Sequence, residues 1–201
     1  MGWVAKEALS RGFSYSGVEP NSALRELALS TVSEFEKENV DIYSCSLPEL
    51  EGIESHSYTH AFALHVLEHT QSAQDAREWL EGVCRVVAPG GEIVIASPDA
   101  RDYRWWFFES DWSHGWVTTP SRIAAVGRDL GLEIIEERVL RAGFSGVVSW
   151  VLWTLGKVFP IRISNWLFLK AWGTPNFGIG VASGLFLGLC WVRMRTPNPA
   201  G

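Results

Sequence analysis

Residues 65–99 read HVLEHTQSAQDAREWLEGVCRVVAPGGEIVIASPD, and this stretch decides the fold. It follows HAFAL at 60–64, an apolar run with the length of a buried strand. EHTQSAQDAREWLEGVCRVV then places Ala73, Trp79, Leu80, Val83 and Val87 at helical spacing, which predicts one amphipathic helix. APGG breaks that helix, and EIVIAS continues as an unbroken β-rich run. Strand, long helix and strand in succession make a β-α-β unit and hence an α/β sheet, mostly parallel.

The pattern extends in both directions. Toward the N-terminus, Trp3 to Arg11 reads as a short helix and GFSYSGV as a strand that ends at Glu19-Pro20. Asn21 is placed to cap a second helix carrying Leu24, Leu27, Ala28 and Val32, and VDIYS reads as a further short strand. Toward the C-terminus an aromatic loop, PDARDYRWWFFESDWSHGW, leads to Thr119-Pro120, a cap for the helix SRIAAVGRDLGL, and then to the strand EIIEERVL. There is no internal repeat.

Composition sets the outer limits. A chain of 201 residues with 47% apolar side chains has enough material for one ordinary domain with an appendage and is not a disordered chain. The net charge of −6 gives no support for nucleic-acid binding. All 23 acidic residues lie at or before Glu137, whereas 7 basic residues and no acid follow it. Such asymmetry predicts two zones with different surroundings. Cys45, Cys84 and Cys190 are too few and too scattered for a disulfide framework, and no basic-then-apolar leader opens the chain. The expectation is a cytoplasmic protein with reduced thiols.

From Phe144 to Val192 the only charges are Lys157, Arg162 and Lys170, among five tryptophans. Phe177 to Val192 is uncharged over 16 residues, short of the roughly 20 that span a bilayer. The preferred reading is a last buried strand, GLFLGLCWVRM, after an apolar helical insertion, with membrane-surface contact through residues 144–192. A short membrane anchor is the alternative.

Two motifs narrow the field. Val66-Leu67-Glu68-His69 after an apolar strand, and Arg85-Val86-Val87-Ala88-Pro89-Gly90-Gly91 at the end of the next helix, resemble the class I S-adenosylmethionine-dependent methyltransferases. The resemblance is greatest to the group that includes the ubiquinone-pathway O-methyltransferases, and it covers roughly Gly2 to Arg141. It implies a Rossmann-like sheet with helices on both faces, a methyltransferase-like domain over 1–142 and an apolar, basic extension over 143–201. Gly2 then resembles the last glycine of the family's cofactor loop, and Glu19, before Pro20, the acid that binds the ribose hydroxyls. Strand one and the earlier glycines would precede the chain. Without strand one, strands two and four would have to pair directly or the first forty residues would hang loosely, and the cofactor would bind weakly or not at all. An acid-proline turn with no such role is the plainer reading of Glu19.

By the same resemblance Ser46 stands where an acid meets the adenine amino group, and Leu64 and His65 would lie beside the methionine part of S-adenosylmethionine. Asp111 and His114 resemble a D-x-x-H pair of the substrate lid, where a histidine beside a carboxylate can take a proton from an acceptor hydroxyl. His69 joins them as a catalytic candidate. Ordering the lid or starting a helix are the structural alternatives for these residues. Trp105, Trp106, Trp112 and Trp116 are candidates for an apolar acceptor wall. The implied reaction is methyl transfer to a small or lipid-linked acceptor, preferably to oxygen. The rival is a degenerate, non-catalytic domain acting as a membrane-associated scaffold. His65-Val66-Leu67-Glu68-His69 also spells an inverted zinc-protease motif. That chemistry needs both histidines on one helical face, and His65 closes a strand, so no metal is expected.

Overall fold

The computed structural model describes residues 3–35, 40–141 and 188–198, in two compact units, 1–54 and 55–201. Gly2 and residues 142–187, which hold the predicted apolar insertion and the start of the predicted last strand, lie outside the described residues.

In the first unit, α1 (Trp3–Ser10), β1 (Tyr15–Val18), α2 (Ser22–Thr31) and β2 (Val40–Tyr43) follow the expected order. β1 and β2 pair in parallel, with Tyr15 opposite Val40 and Val18 opposite Tyr43. Ala5, Leu9 and Val32 are buried together, with Tyr15, Phe35 and Val40 packed on them. Asn21 caps α2 as its sequence position predicts: its side-chain oxygen accepts the Leu24 N–H at 3.1 Å.

The second unit contains β3 (Tyr58–Leu64), a 3-10 turn (Leu67–His69), α3 (Ala73–Val86), β4 (Val87–Pro98), α4 (Ala100–Tyr103), α5 (Trp106–Glu109), α6 (Pro120–Asp129), β5 (Glu133–Arg141) and β6 (Gly188–Arg195). Its sheet has the order β3-β4-β6-β5, with β3 and β4 parallel and β6 antiparallel to both neighbours. The expected last strand is therefore an interior strand. Gly188, Cys190, Val192 and Met194 alternate inward along it, and Val192 and Met194 are wholly buried. β4 is buried along nearly its whole C-terminal half, Ile93 to Pro98, as expected of a strand with a neighbour on each side. α3 packs on β4 and α6, and α6 on β5 and β6, and this helix layer buries Leu80, Val83, Ile123 and Ala124. Among the described residues no helix is long and apolar enough to cross a membrane.

Two local expectations change. The helix predicted from Glu68 begins only at Ala73, because the Ser72 hydroxyl accepts the Asp75 N–H at 3.0 Å and fixes the start there. Glu68 and His69 occupy the separate 3-10 turn, and Ala73 is exposed. APGG does not lie between elements; it is a bulge inside β4, where Tyr58 pairs with Val87 and His60 with Glu92. Gly90 supplies the positive φ of 76° that the bulge needs.

Candidate active site

β3 ends at Leu64, which is half-buried, and the chain turns sharply at His65, whose φ is 55°. A left-handed conformation is costly for a residue with a Cβ, and here it is held by the His65 N–H donating to the Ala96 carbonyl at 2.8 Å. The turn drives Leu67 and Glu68 into the core, each about 1% exposed. Glu68 is thus a buried carboxylate. Its Oε2 accepts the Ser97 hydroxyl at 2.8 Å, while Oε1 has no directed hydrogen bond and lies 3.3 Å from His65 Nδ1. Burial by itself raises the Glu68 pKa; the contacts with His65, its own backbone N–H and Ser97 outweigh it, so the group stays ionised below the usual carboxylate range.

The Glu68 carbonyl accepts two backbone N–H groups of the aromatic loop, Gly115 at 3.0 Å and Trp116 at 3.3 Å. Only glycine fits at 115, since a Cβ there would stand 2.6 Å from the Thr70 carbonyl oxygen. This docking sets the His69 and His114 rings 5.1 Å apart, centre to centre. His69 Nδ1 lies 2.8 Å from Ser113 Oγ, and the Ser113 hydroxyl donates to Asp111 Oδ1 at 2.6 Å. Because the serine proton points at the carboxylate, Ser113 accepts from Nδ1–H, and the Nε2 of His69 is the nitrogen left bare. His114 Nδ1 donates to the Phe107 carbonyl at 2.5 Å, again leaving Nε2. Hydrogen bonds from Ser113 hold Asp111 below the usual carboxylate range.

The Asp111 and His114 side chains, expected to pair with each other, do not. The carboxylate serves His69 through Ser113, and the His114 ring is tied to the loop backbone instead. Ser113 and Ser97 escaped sequence reasoning; the D-x-S in DWSHGW, an Asx-turn pattern with Asp111 Oδ1 accepting the Ser113 N–H at 2.9 Å, was the readable signal for the first. Of the four tryptophans, Trp116 is buried with Arg122 over its ring, so it is packing, whereas Trp105 and Trp112 are 83% and 95% exposed. Cys45, Cys84 and Cys190 are free thiols, and burial followed by the Glu81 charge pushes Cys84 up to about 11.

The cofactor candidates fall in both units. Glu19 follows β1, half-buried, with Oε1 accepting the Asn21 N–H at 3.0 Å. Pro20 and Ser46 are exposed. Leu64 and His65 are at the end of β3.

A sequence profile for the methyltransferase domain matches residues 1–137. The chain belongs to the methyltransferase-domain family. It is an S-adenosylmethionine-dependent methyltransferase of Rossmann-like fold, as the two motifs predicted. No curated protein matches the sequence. Solved structures share the fold at low identity. N-methyltransferase NodS from Bradyrhizobium japonicum, solved with S-adenosyl-L-homocysteine, is 12% identical with a TM-score of 0.57, over 91% of this chain and 66% of that one. The phosphoethanolamine N-methyltransferase 2 of Haemonchus contortus is 17% identical with a TM-score of 0.63, over 96% and 46%. The [4+2]-cyclase SpnF also matches, at 12% identity and a TM-score of 0.64, over 98% and 70%. A cyclase among these neighbours shows that the fold alone does not name the reaction.

Of the residues expected at the cofactor, Glu19 stands just past the end of β1, a strand paired in parallel with β2. Ser46 brings a hydroxyl where an acid is usual, a weaker acceptor for an amino group.

Proposed function

We propose that this methyltransferase acts on a hydroxyl oxygen of a small or lipid-linked acceptor, held at the bare nitrogens of His69 and His114. The Asp111–Ser113–His69 chain of hydrogen bonds carries this reading, because it fixes one tautomer of His69 and turns its Nε2 to the acceptor. S-adenosylmethionine supplies an electrophilic methyl carbon on a sulfonium centre. An acceptor O–H held at His69 Nε2 would give its proton to that nitrogen and so leave the oxygen lone pair free for the methyl group that the cofactor would supply. Asp111 stabilises the imidazolium through Ser113. His114, locked on the Phe107 carbonyl and packed against the Phe107 ring, fixes the other side of the acceptor. Positioning supplies much of the rate, and proton removal adds roughly 10²–10⁴-fold.

The exposed Trp105, Phe108 and Trp112 lie on the same loop and support an acceptor with an apolar or lipid tail. Membrane-surface contact through residues 144–192 belongs to this reading. Co-sedimentation of the chain with anionic vesicles, with and without Trp105→Ala and Trp112→Ala, measures it; equal recovery would remove the lipid-linked option. The oxygen-transfer reading is tested by S-adenosylhomocysteine release with a panel of phenols and catechols. Ser113→Ala should lower the rate at least tenfold and leave unfolding unchanged; an unaltered rate would remove the relay from catalysis.

A further inference from the structure

The turn between β1 and α2 ties down every polar atom of Glu19 but one. The Glu19 backbone N–H donates to the Tyr43 carbonyl on β2 at 3.0 Å. Its carbonyl accepts from Arg25 Nη1 at 2.9 Å, and the same nitrogen reaches the Pro20 carbonyl at 3.3 Å. Its carboxylate Oε1 accepts the Asn21 N–H at 3.0 Å. Among the described residues Oε2 is left without a hydrogen bond, on a side chain that is half-buried. Arg25 is half-buried as well and stands near the N-terminus of α2, where a cation opposes the helix dipole. The two turn carbonyls offset that cost, because a guanidinium donating to a carbonyl makes a charge-assisted hydrogen bond.

We propose that Arg25 is a positioning residue for the cofactor: by holding the Glu19 and Pro20 carbonyls it keeps Glu19 Oε2 as a pre-set acceptor for a ribose hydroxyl. The proposal rests on the expectation that Glu19 meets the ribose of S-adenosylmethionine, and it is independent of which acceptor atom takes the methyl group. Arg25 acts through Glu19 and has no contact of its own with the cofactor. Its bonds fix the orientation of the peptide planes on either side of Pro20, and the Asn21 N–H that grips Oε1 belongs to the next residue. Without the guanidinium those planes are free to rotate and the carboxylate turns with them. Cofactor binding then has to order the turn as well as make the contact, and the affinity falls. In the sequence Arg25 reads as one more charge on α2, because nothing in the spacing shows that its side chain folds back over the turn.

Isothermal titration of the full chain with S-adenosylhomocysteine tests the proposal, with Glu19→Ala, Arg25→Ala, Arg25→Met, Arg25→Lys and the double variant Glu19→Ala/Arg25→Ala beside the wild type. Arg11→Ala, on an exposed arginine that pairs with Glu7, is the control and should bind as the wild type does. Glu19→Ala should weaken binding about 10–100-fold, the loss of a hydrogen bond to a charged group. Arg25→Ala and Arg25→Met should each weaken it about 3–10-fold, the cost of ordering the freed side chain on binding. Arg25→Lys keeps a cationic donor without the planar fork and should fall between Arg25→Met and the wild type. Once Glu19 is gone Arg25 has nothing to position, so the double variant should bind no more weakly than Glu19→Ala. A further loss in the double variant would mean that Arg25 supports the fold of the first unit instead, and would overturn the proposal. Circular dichroism melts establish that the variants fold; if Arg25→Ala does not, Arg25→Met takes its place in both backgrounds. No binding by the wild type, or wild-type affinity in the Arg25 variants, would also overturn it. The two readings separate cleanly. Unchanged affinity in Glu19→Ala removes the ribose contact and Arg25 with it, whereas a loss in Glu19→Ala but not in the Arg25 variants leaves Glu19 at the ribose and ends the role of Arg25.

Discussion

Glu68 is the residue on which the site turns. A carboxylate about 1% exposed survives only when its oxygens are met, and Ser97 meets one of them. Ser97→Ala should therefore destabilise the second unit by about 1.5–3 kcal/mol, the range for a buried hydrogen bond to a charged group, read by urea unfolding. A loss below about 0.5 kcal/mol would mean that water or His65 replaces the serine without cost. The sequence showed this residue as part of V-L-E-H but gave no sign that it is buried. It likewise suggested that Asp111 and His114 act together, since they are three apart in a loop. Spacing predicts proximity and says nothing of hydrogen-bond direction. The intervening Ser113 redirects the carboxylate to His69, a partner contributed by another element.

Among the elements, capping residues were the most readable features. Asn21 and Thr119 each accept an N–H of the following helix, as their positions before apolar-periodic runs predicted. Boundaries beside the site were less readable. Glu68 and His69 fit the helical period of α3, yet the Ser72 cap and the burial of Leu67 detach them into their own turn. The aromatic loop depends on Gly115, whose missing side chain lets the loop backbone reach the Glu68 carbonyl. Gly115→Ala should lift the loop from the 3-10 turn and part the two histidines. The expected result is a loss of about 1–3 kcal/mol from overpacking, together with a fall in turnover of at least tenfold. A variant with wild-type melting and turnover would show that the loop tolerates the added methyl and that docking does not set the site.

At the scale of the whole molecule, β6 has the largest structural effect for its length. It arrives from the far end of the chain, runs opposite to β4 and β5, and fills the space between them. Alternation of apolar and polar residues in GLCWVRMR made the strand legible; its reversed direction was not, because direction depends on how the preceding segment returns to the sheet. Val192→Asp puts an unpaired charge at a wholly buried position and should abolish the cooperative melt of the second unit. Retention of a sharp transition would mean that β4 and β5 hold together without it. The family was legible from two motifs, whereas the acceptor was not, because acceptors are chosen by loop side chains whose neighbours only the fold assembles.

Dopamine carries two phenolic hydroxyls and a primary amine, so it asks which atom this site serves. With methyl-labelled S-adenosylmethionine and the purified chain, mass spectrometry should place the label on oxygen, and His114→Ala should lower that product at least tenfold. Label on the nitrogen, or an oxygen product that His114→Ala leaves unchanged, would contradict a hydroxyl held between His69 and His114.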